Sequence, residues 1–374
     1  MLKLYDIIGY PFGFLMSLIY GLFDNYAVAI IIFTVVTKLL LLPVNYSTQK
    51  NAARMQLLNP KLEKLKKSFA NNPQRLQQEQ QKLYQQEGLN PMGSCLPAFI
   101  QMFLLFGVLD VVYKPLTHIL RLSNSVKNAA FNIVGVNPSK ELRCELRVME
   151  SVMNTPEKYT GSVFDGFVDT VRDFSERFTV FGANLGKTPD SSPETWTKEA
   201  IILFCIPFLA GIAQLLVSIY TQIHQKKTNP NMQGGGCMAV MFYVMPVISV
   251  YFAFQLPAGV GFYWIWSSLF SFVITYALNL YFTPERTEKI NEKEKEKARI
   301  YAEKHPNKKT FMQRMLEQQA ALEEQQNSAK KSSSGEKMSR SEANKANRDK
   351  IREARRKMAE KYGDVYDENE NDED

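Results

Sequence analysis

What most constrains this chain is where its charges are missing. Residues 7–42, 96–113, 199–223 and 238–283 are almost free of them, whereas residues 285–374 are almost wholly Lys, Arg, Glu, Asp, Gln, Ser and Asn. A helix rises about 1.5 Å per residue, so a run of about 20 apolar residues matches a hydrocarbon core about 30 Å thick. The mean hydropathy of −0.23 conceals this, because it averages apolar runs with a polar tail. The expected fold class is an all-α polytopic membrane protein.

Five runs qualify as transmembrane helices: 26–43 ("YAVAIIIFTVVTKLLLLP"), 96–116, 199–223, 238–256 and 260–283. Only the Pro257–Ala258–Gly259 turn separates the last two, so they form a tight hairpin. The apolar run inside residues 1–25 carries Gly, Pro and Tyr and lies close to the next span, which favours an N-terminal helix in the outer interface. A sixth span and an uncleaved signal remain alternatives, since no small-x-small cleavage site ends the run.

Charge sets the orientation. Residues 44–95 hold eight basic and three acidic residues, net +5. The 224–237 loop adds Lys226 and Lys227 with no acid, residues 284–361 carry a net +8, and residues 117–198 balance to zero. Positive loops stay in the cytoplasm. Five spans with the N-terminus outside and the C-terminus inside put all three positive segments there, as expected of a multi-pass membrane protein.

Residues 44–95 read as a cytoplasmic helical hairpin, rich in Gln, Lys, Leu and Glu, with a continuous first arm over 47–70 and a break at Asn71–Asn72–Pro73. Residues 117–198 are long for a connection and alternate apolar with charged positions at helical spacing, so amphipathic helices against the outer surface are expected. The tail 284–374 reads as a charged, partly disordered cytoplasmic extension. Its basic helices suit ribosomal RNA or anionic lipid, although a solvated face explains most such runs. The four cysteines have no metal-ligand spacing and the three histidines no cluster. Without a nucleophile–base pair or phosphate loop, no enzyme, cofactor, metal or catalytic residue is expected.

Lys38 is the exception within the first apolar run. It lies five residues from Pro43, roughly 7–8 Å along a helix. One reading is snorkelling to the cytoplasmic interface. The other is a polar groove. Thr34 is one turn back on the same face, and other runs contribute Gln101, Gln214, Gln255, Ser267, Ser268 and Thr275. The nearest intramembrane acid, Asp110, falls near the other end of its run.

Several stretches together resemble one family. "NPMGSCLPAFIQM" (90–102) is similar to the start of the second span of the YidC-type membrane protein insertases, the bacterial branch of the Oxa family. "MPVISVYFAFQLPAGVGFYWIWSSLFS" (245–271) resembles their last hairpin, with an M-P motif, a P-A-G turn and an aromatic pair in order. Residues 9–43 resemble their opening interfacial helix and first span, and "FGANLGKTPD" (181–190) the approach to the third. The likeness covers residues 9–283.

That resemblance implies five spans around a hydrophilic groove, closed outside and open to cytoplasm and lipid. It implies insertion and folding of nascent membrane proteins, alone or with the Sec translocon. A basic residue, most often Arg, stands in the family's first span five positions before a proline, and Lys38 with Pro43 matches. The resemblance implies a bacterial plasma membrane and, as groove and client contacts, Lys38, Gln101, Met102, Tyr263 and Trp264. The polar positions Thr34, Gln214 and Ser267 complete the expected groove and client-binding set. Further partners on this reading are the ribosome, through its RNA and the basic tail and cytoplasmic loops, and membrane lipids. The competing classes are a secondary transporter or channel with a polar pathway, which usually shows inverted repeats and paired carboxylates, and a structural anchor whose tail does the work.

Overall fold

The computed structural model describes residues 2–89, 96–228 and 236–304. The hairpin's return at 90–95, the loop residues 229–235 and the tail from 305 onward lie outside the described residues.

Helix α1 (Leu2–Phe23) leads into α2 (Tyr26–Leu40), whose first turn is capped by the Asn25 side chain accepting from the Val28 N–H at 3.0 Å. Helix α3 (Leu42–Leu57) leaves α2 at a bend of 54°, with Pro43 in its opening turn, where a missing N–H costs nothing. Helices α4 (Asn59–Ser68) and α5 (Pro73–Gln86) complete a hairpin turned at Asn72, which caps α5. The first arm is not continuous: it breaks at Leu58, because Pro60 opens a new helix and clashes with the preceding turn.

Next come α6 (Leu96–Tyr113), the single turn α7 (Pro115–His118), α8 (Asn124–Val134), α9 (Cys144–Asn154) and α10 (Phe167–Arg177). A two-stranded antiparallel ribbon, β1 (Thr179–Val180) and β2 (Ala183–Asn184), pairs Val180 with Ala183. The described residues end in α11 (Lys198–Thr228), α12 (Gly236–Gln255), α13 (Ala258–Tyr281) and α14 (Pro284–Lys304).

Among the described residues, Lys198–Lys227 and Ala258–Tyr281 are long and apolar enough to cross a membrane, and the bent pair Tyr26–Leu40 with Leu42–Leu57 is a third if taken as one. Gly9–Phe23, Phe99–Tyr113 and Tyr243–Gln255 are shorter apolar helices. Large apolar side chains stay exposed on α11 and α12, among them Leu209, Ile212, Val247 and Tyr251, as expected where the solvent is lipid.

Helix α13 packs between α2 and α11, while α1 packs on α6 and α2. The α1–α6 contact is close because Gly107 has no side chain: a Cβ there would overlap the Phe12 ring, which in turn meets Phe33 of α2 edge-on at 5.9 Å. Gly107→Val is therefore expected to destabilise the bundle by about 1–3 kcal/mol through overpacking, read as a lower thermal midpoint in detergent.

The 117–198 connection forms its own apolar layer. Phe174 and Phe178 enclose Tyr26 at the start of α2, with the Phe178 ring centroid 4.3 Å from that of Tyr26. Two main-chain bonds then tie this layer to α13. The Ala258 N–H donates to the Lys187 carbonyl and the Gly259 N–H to the Leu185 carbonyl, both at 2.8 Å. They satisfy donors that a helix start leaves unpaired. A Cβ at Gly259 would stand 3.3 Å from the Leu185 oxygen, so the approach favours glycine. The stretches 181–190 and 257–259, far apart in sequence, thus meet through their backbones.

At the opposite end of the bundle α14 runs along α3. Arg54, almost fully buried, donates through Nε to Asn291 Oδ1 and through Nη2 to the Glu87 carbonyl, each at 2.9 Å. Lys50 pairs with Glu294 at 3.5 Å, and the Glu87 carboxylate takes Lys61 at 2.5 Å and also Lys295. Burial pushes the Glu87 carboxyl up, but the two lysines outweigh it and hold the group below the usual carboxylate range. A depressed folded value means the contact contributes stability above the unfolded pKa and loses it as pH falls through the folded one. Spin labels at Lys82 and Ile300 are expected to report a sharp distance at pH 7 that broadens below about pH 4. In Glu87→Gln it is already broad at pH 7.

A polar cavity around Lys38

A cavity of about 590 Å³ opens between α2, α3, α6, α11, α12 and α13. Lys38 and Leu41 reach it at the α2–α3 bend, followed by Val44 and Asn45 of α3. Helix α6 contributes Ile100, Gln101, Met102 and Leu105; α11 adds Gln214 and Val217, and α12 adds Ser249. Helix α13 presents Trp264, Ser267, Ser268 and Ser271, whose spacing of three to four residues places them on one helical face.

Lys38 is only 7% exposed, and its Nζ donates to Ser271 Oγ at 2.8 Å. None of the described lining residues is Asp or Glu. Asp110 does not line the cavity; it is engaged by Lys114 at 2.7 Å and by His118 Nε2 at 2.6 Å. Removing an ammonium from water is costly unless polar groups replace its hydration. Here the Ser271 hydroxyl supplies part of that compensation, and a hydroxyl solvates a charge without cancelling it.

Six of the eight residues expected from the sequence line this cavity: Lys38, Gln101, Met102, Gln214, Trp264 and Ser267. Thr34 and Tyr263 lie outside the lining. Both are fully buried, and the Thr34 hydroxyl donates to the Ile30 carbonyl of its own helix at 2.7 Å. Asn45, Ser249 and Ser271 were not singled out by the sequence. For Ser271 the signal was present, since it continues the i, i+4 row from Ser267.

A second polar group sits where α6, α7 and α9 meet. Glu145, buried, accepts from the Thr117 N–H at 2.9 Å and the Thr117 hydroxyl at 2.5 Å, while Lys127 donates to that hydroxyl at 2.7 Å. Burial pushes the Glu145 carboxyl up against the pull of Thr117. The spacing Asp110, Lys114, His118 marks the adjoining ion group as one helical ridge continued across a break.

Fold and site define a helical membrane protein with a cation-bearing polar cavity among its apolar helices. The chain belongs to the 60Kd inner membrane protein family, whose sequence model matches residues 18–285. It is similar to proteins named membrane protein insertase YidC. The one from Oceanobacillus iheyensis is 27% identical over 275 residues, covering 72% of this chain and 81% of that protein. That from Chlorobium limicola is 25% identical over 259 residues, 69% of this chain and 34% of that protein. A shorter match to the Clostridium perfringens protein, over 108 residues, reaches 41% identity and covers 29% of this chain and 45% of that one. The chain thus spans about a third of the length of several relatives, that of Chlorobium limicola among them. Family membership and the apolar helices make it a multi-pass protein of a bacterial membrane.

Proposed function

We propose that the chain is a membrane protein insertase, working alone or with the Sec translocon. The observation that carries this reading is an ammonium held among neutral polar groups inside an apolar bundle. Five spans, 26–43, 96–116, 199–223, 238–256 and 260–283, surround the cavity, with the N-terminus outside and the C-terminus in the cytoplasm. A nascent client lays a short hydrophilic tail into the cavity. Lys38 attracts acidic groups on that tail, and Gln101, Gln214, Ser267 and their neighbours hydrate it, which lowers the cost of polar backbone at membrane depth. The client's apolar segment meanwhile slides out to lipid past Met102 and Trp264. No bond is made or broken. The hairpin receives the client, the basic tail tethers the ribosome through its RNA, and the membrane potential helps acidic tails outward.

The test is reconstitution. Proteoliposomes of the full chain should insert a single-span client with an acidic N-terminal tail, read as protease protection of that tail, without leaking small solutes. Solute exchange without insertion would favour the transporter or channel class instead.

A further inference from the structure

We propose that Ser271 is a positioning residue of the cavity: its hydroxyl holds the Lys38 ammonium towards the cavity and so sets the preference for acidic client tails. This rests on the insertase reading above. A lysine with a flexible four-carbon stem near a helix end ordinarily swings its charge to the interface. Lys38 does not. Its Nζ reaches across the cavity to α13 and donates to Ser271 Oγ at 2.8 Å, leaving the residue 7% exposed. The two positions lie at matching depth: Lys38 is 12 residues beyond the α2 start at Tyr26, and Ser271 is 13 beyond the α13 start at Ala258. At 1.5 Å per residue these are about 18 and 20 Å.

The choice of side chain matters chemically. An ammonium has three donors and a serine hydroxyl can accept one of them, which leaves two for water or a guest carboxylate. A carboxylate at position 271 would fix the ammonium equally well but cancel its charge. An alanine would leave the charge and lose its direction. Serine fixes direction and keeps the charge, and Ser267, one turn earlier on the same face, offers a guest a second hydroxyl.

The test uses the full chain in proteoliposomes and two clients that differ only in the tail, one acidic and one with Gln at the acidic positions. The quantity read is the ratio of their insertion rates. Ser271→Ala is expected to lower the acidic-to-neutral ratio about tenfold, the scale of a hydrogen bond to a charged group. Ser271→Thr, which keeps the hydroxyl, should hold the ratio within about twofold of wild type, which guards against misreading a folding defect. In a Lys38→Gln background, Ser271→Ala should change the ratio no further, as a coupled pair requires. An unchanged ratio in Ser271→Ala, or an equal fall of the ratio with and without Lys38, overturns the proposal. Wild-type protein that inserts neither client overturns the insertase reading and this proposal with it.

Discussion

Lys38→Glu is expected to abolish insertion of an acidic-tailed client, Lys38→Gln to reduce it strongly, and Lys38→Arg to retain most of it. Two opposite charges about 6 Å apart at an effective dielectric constant of about 20 attract by roughly 3 kcal/mol, about 100-fold in occupancy. Neutralising Lys38 removes that attraction, and reversal replaces it with repulsion of similar size. No described lining residue supplies another charge to soften the change. Arginine keeps the charge, and its guanidinium can still donate to the Ser271 hydroxyl, although delocalised over a wider fork. The readout is protease protection of the client tail, with each variant checked for its thermal midpoint. Equal insertion by all four proteins would reduce Lys38 to a wall residue and remove electrostatics from the mechanism.

The second large effect concerns stability. Asp110 has a fully buried side chain between Lys114 at 2.7 Å and His118 at 2.6 Å. Helix α1 closes over it at Gly9, where a Cβ would overlap the carboxylate. Asp110→Ala withdraws the carboxylate from both Lys114 and His118 in a place water does not easily refill. Breaking a buried pair from one side costs about 3–5 kcal/mol, a large share of the 5–15 kcal/mol that typical folds possess. The thermal midpoint in detergent should fall by on the order of 10 °C. Asp110→Asn, which keeps the volume and one acceptor, should fall less. A midpoint equal to wild type for Asp110→Ala would mean the cluster contributes nothing to stability.

Much of the cavity was legible because polar residues in apolar runs are costly and therefore informative. Lys38, Gln101, Gln214 and Ser267 each stand out against their neighbours, and four different helices bring them together. Thr34 stood out equally and is spent on its own helix's carbonyl, an outcome that spacing cannot distinguish from a groove-facing hydroxyl. The break at Leu58 was marked by Pro60, yet a good helical composition on both sides masked it. The contact of Leu185 and Lys187 with the start of α13 was not legible, because main-chain bonds leave almost no trace in side-chain identity beyond Gly259. Arg54, by contrast, reads as one more solvated charge of a basic hairpin. Its burial depends on Asn291, more than 200 positions away, and no local pattern announces that.

The two main-chain bonds at Leu185 and Lys187 also have a mechanical consequence. They pin one end of α13 through main-chain groups, with Gly259 leaving room for the close approach. A helix pinned at one end behaves as a lever. For the 24 residues of α13, about 36 Å long, a tilt of about 10° at the pin moves the far end by roughly 6 Å while the pinned end hardly moves. Ser271, just past halfway, travels about 3 Å, comparable to the reach of its hydrogen bond to Lys38. A small tilt of this one helix would therefore make or release the hydrogen bond to Lys38 while the pinned end stays joined to Leu185 and Lys187.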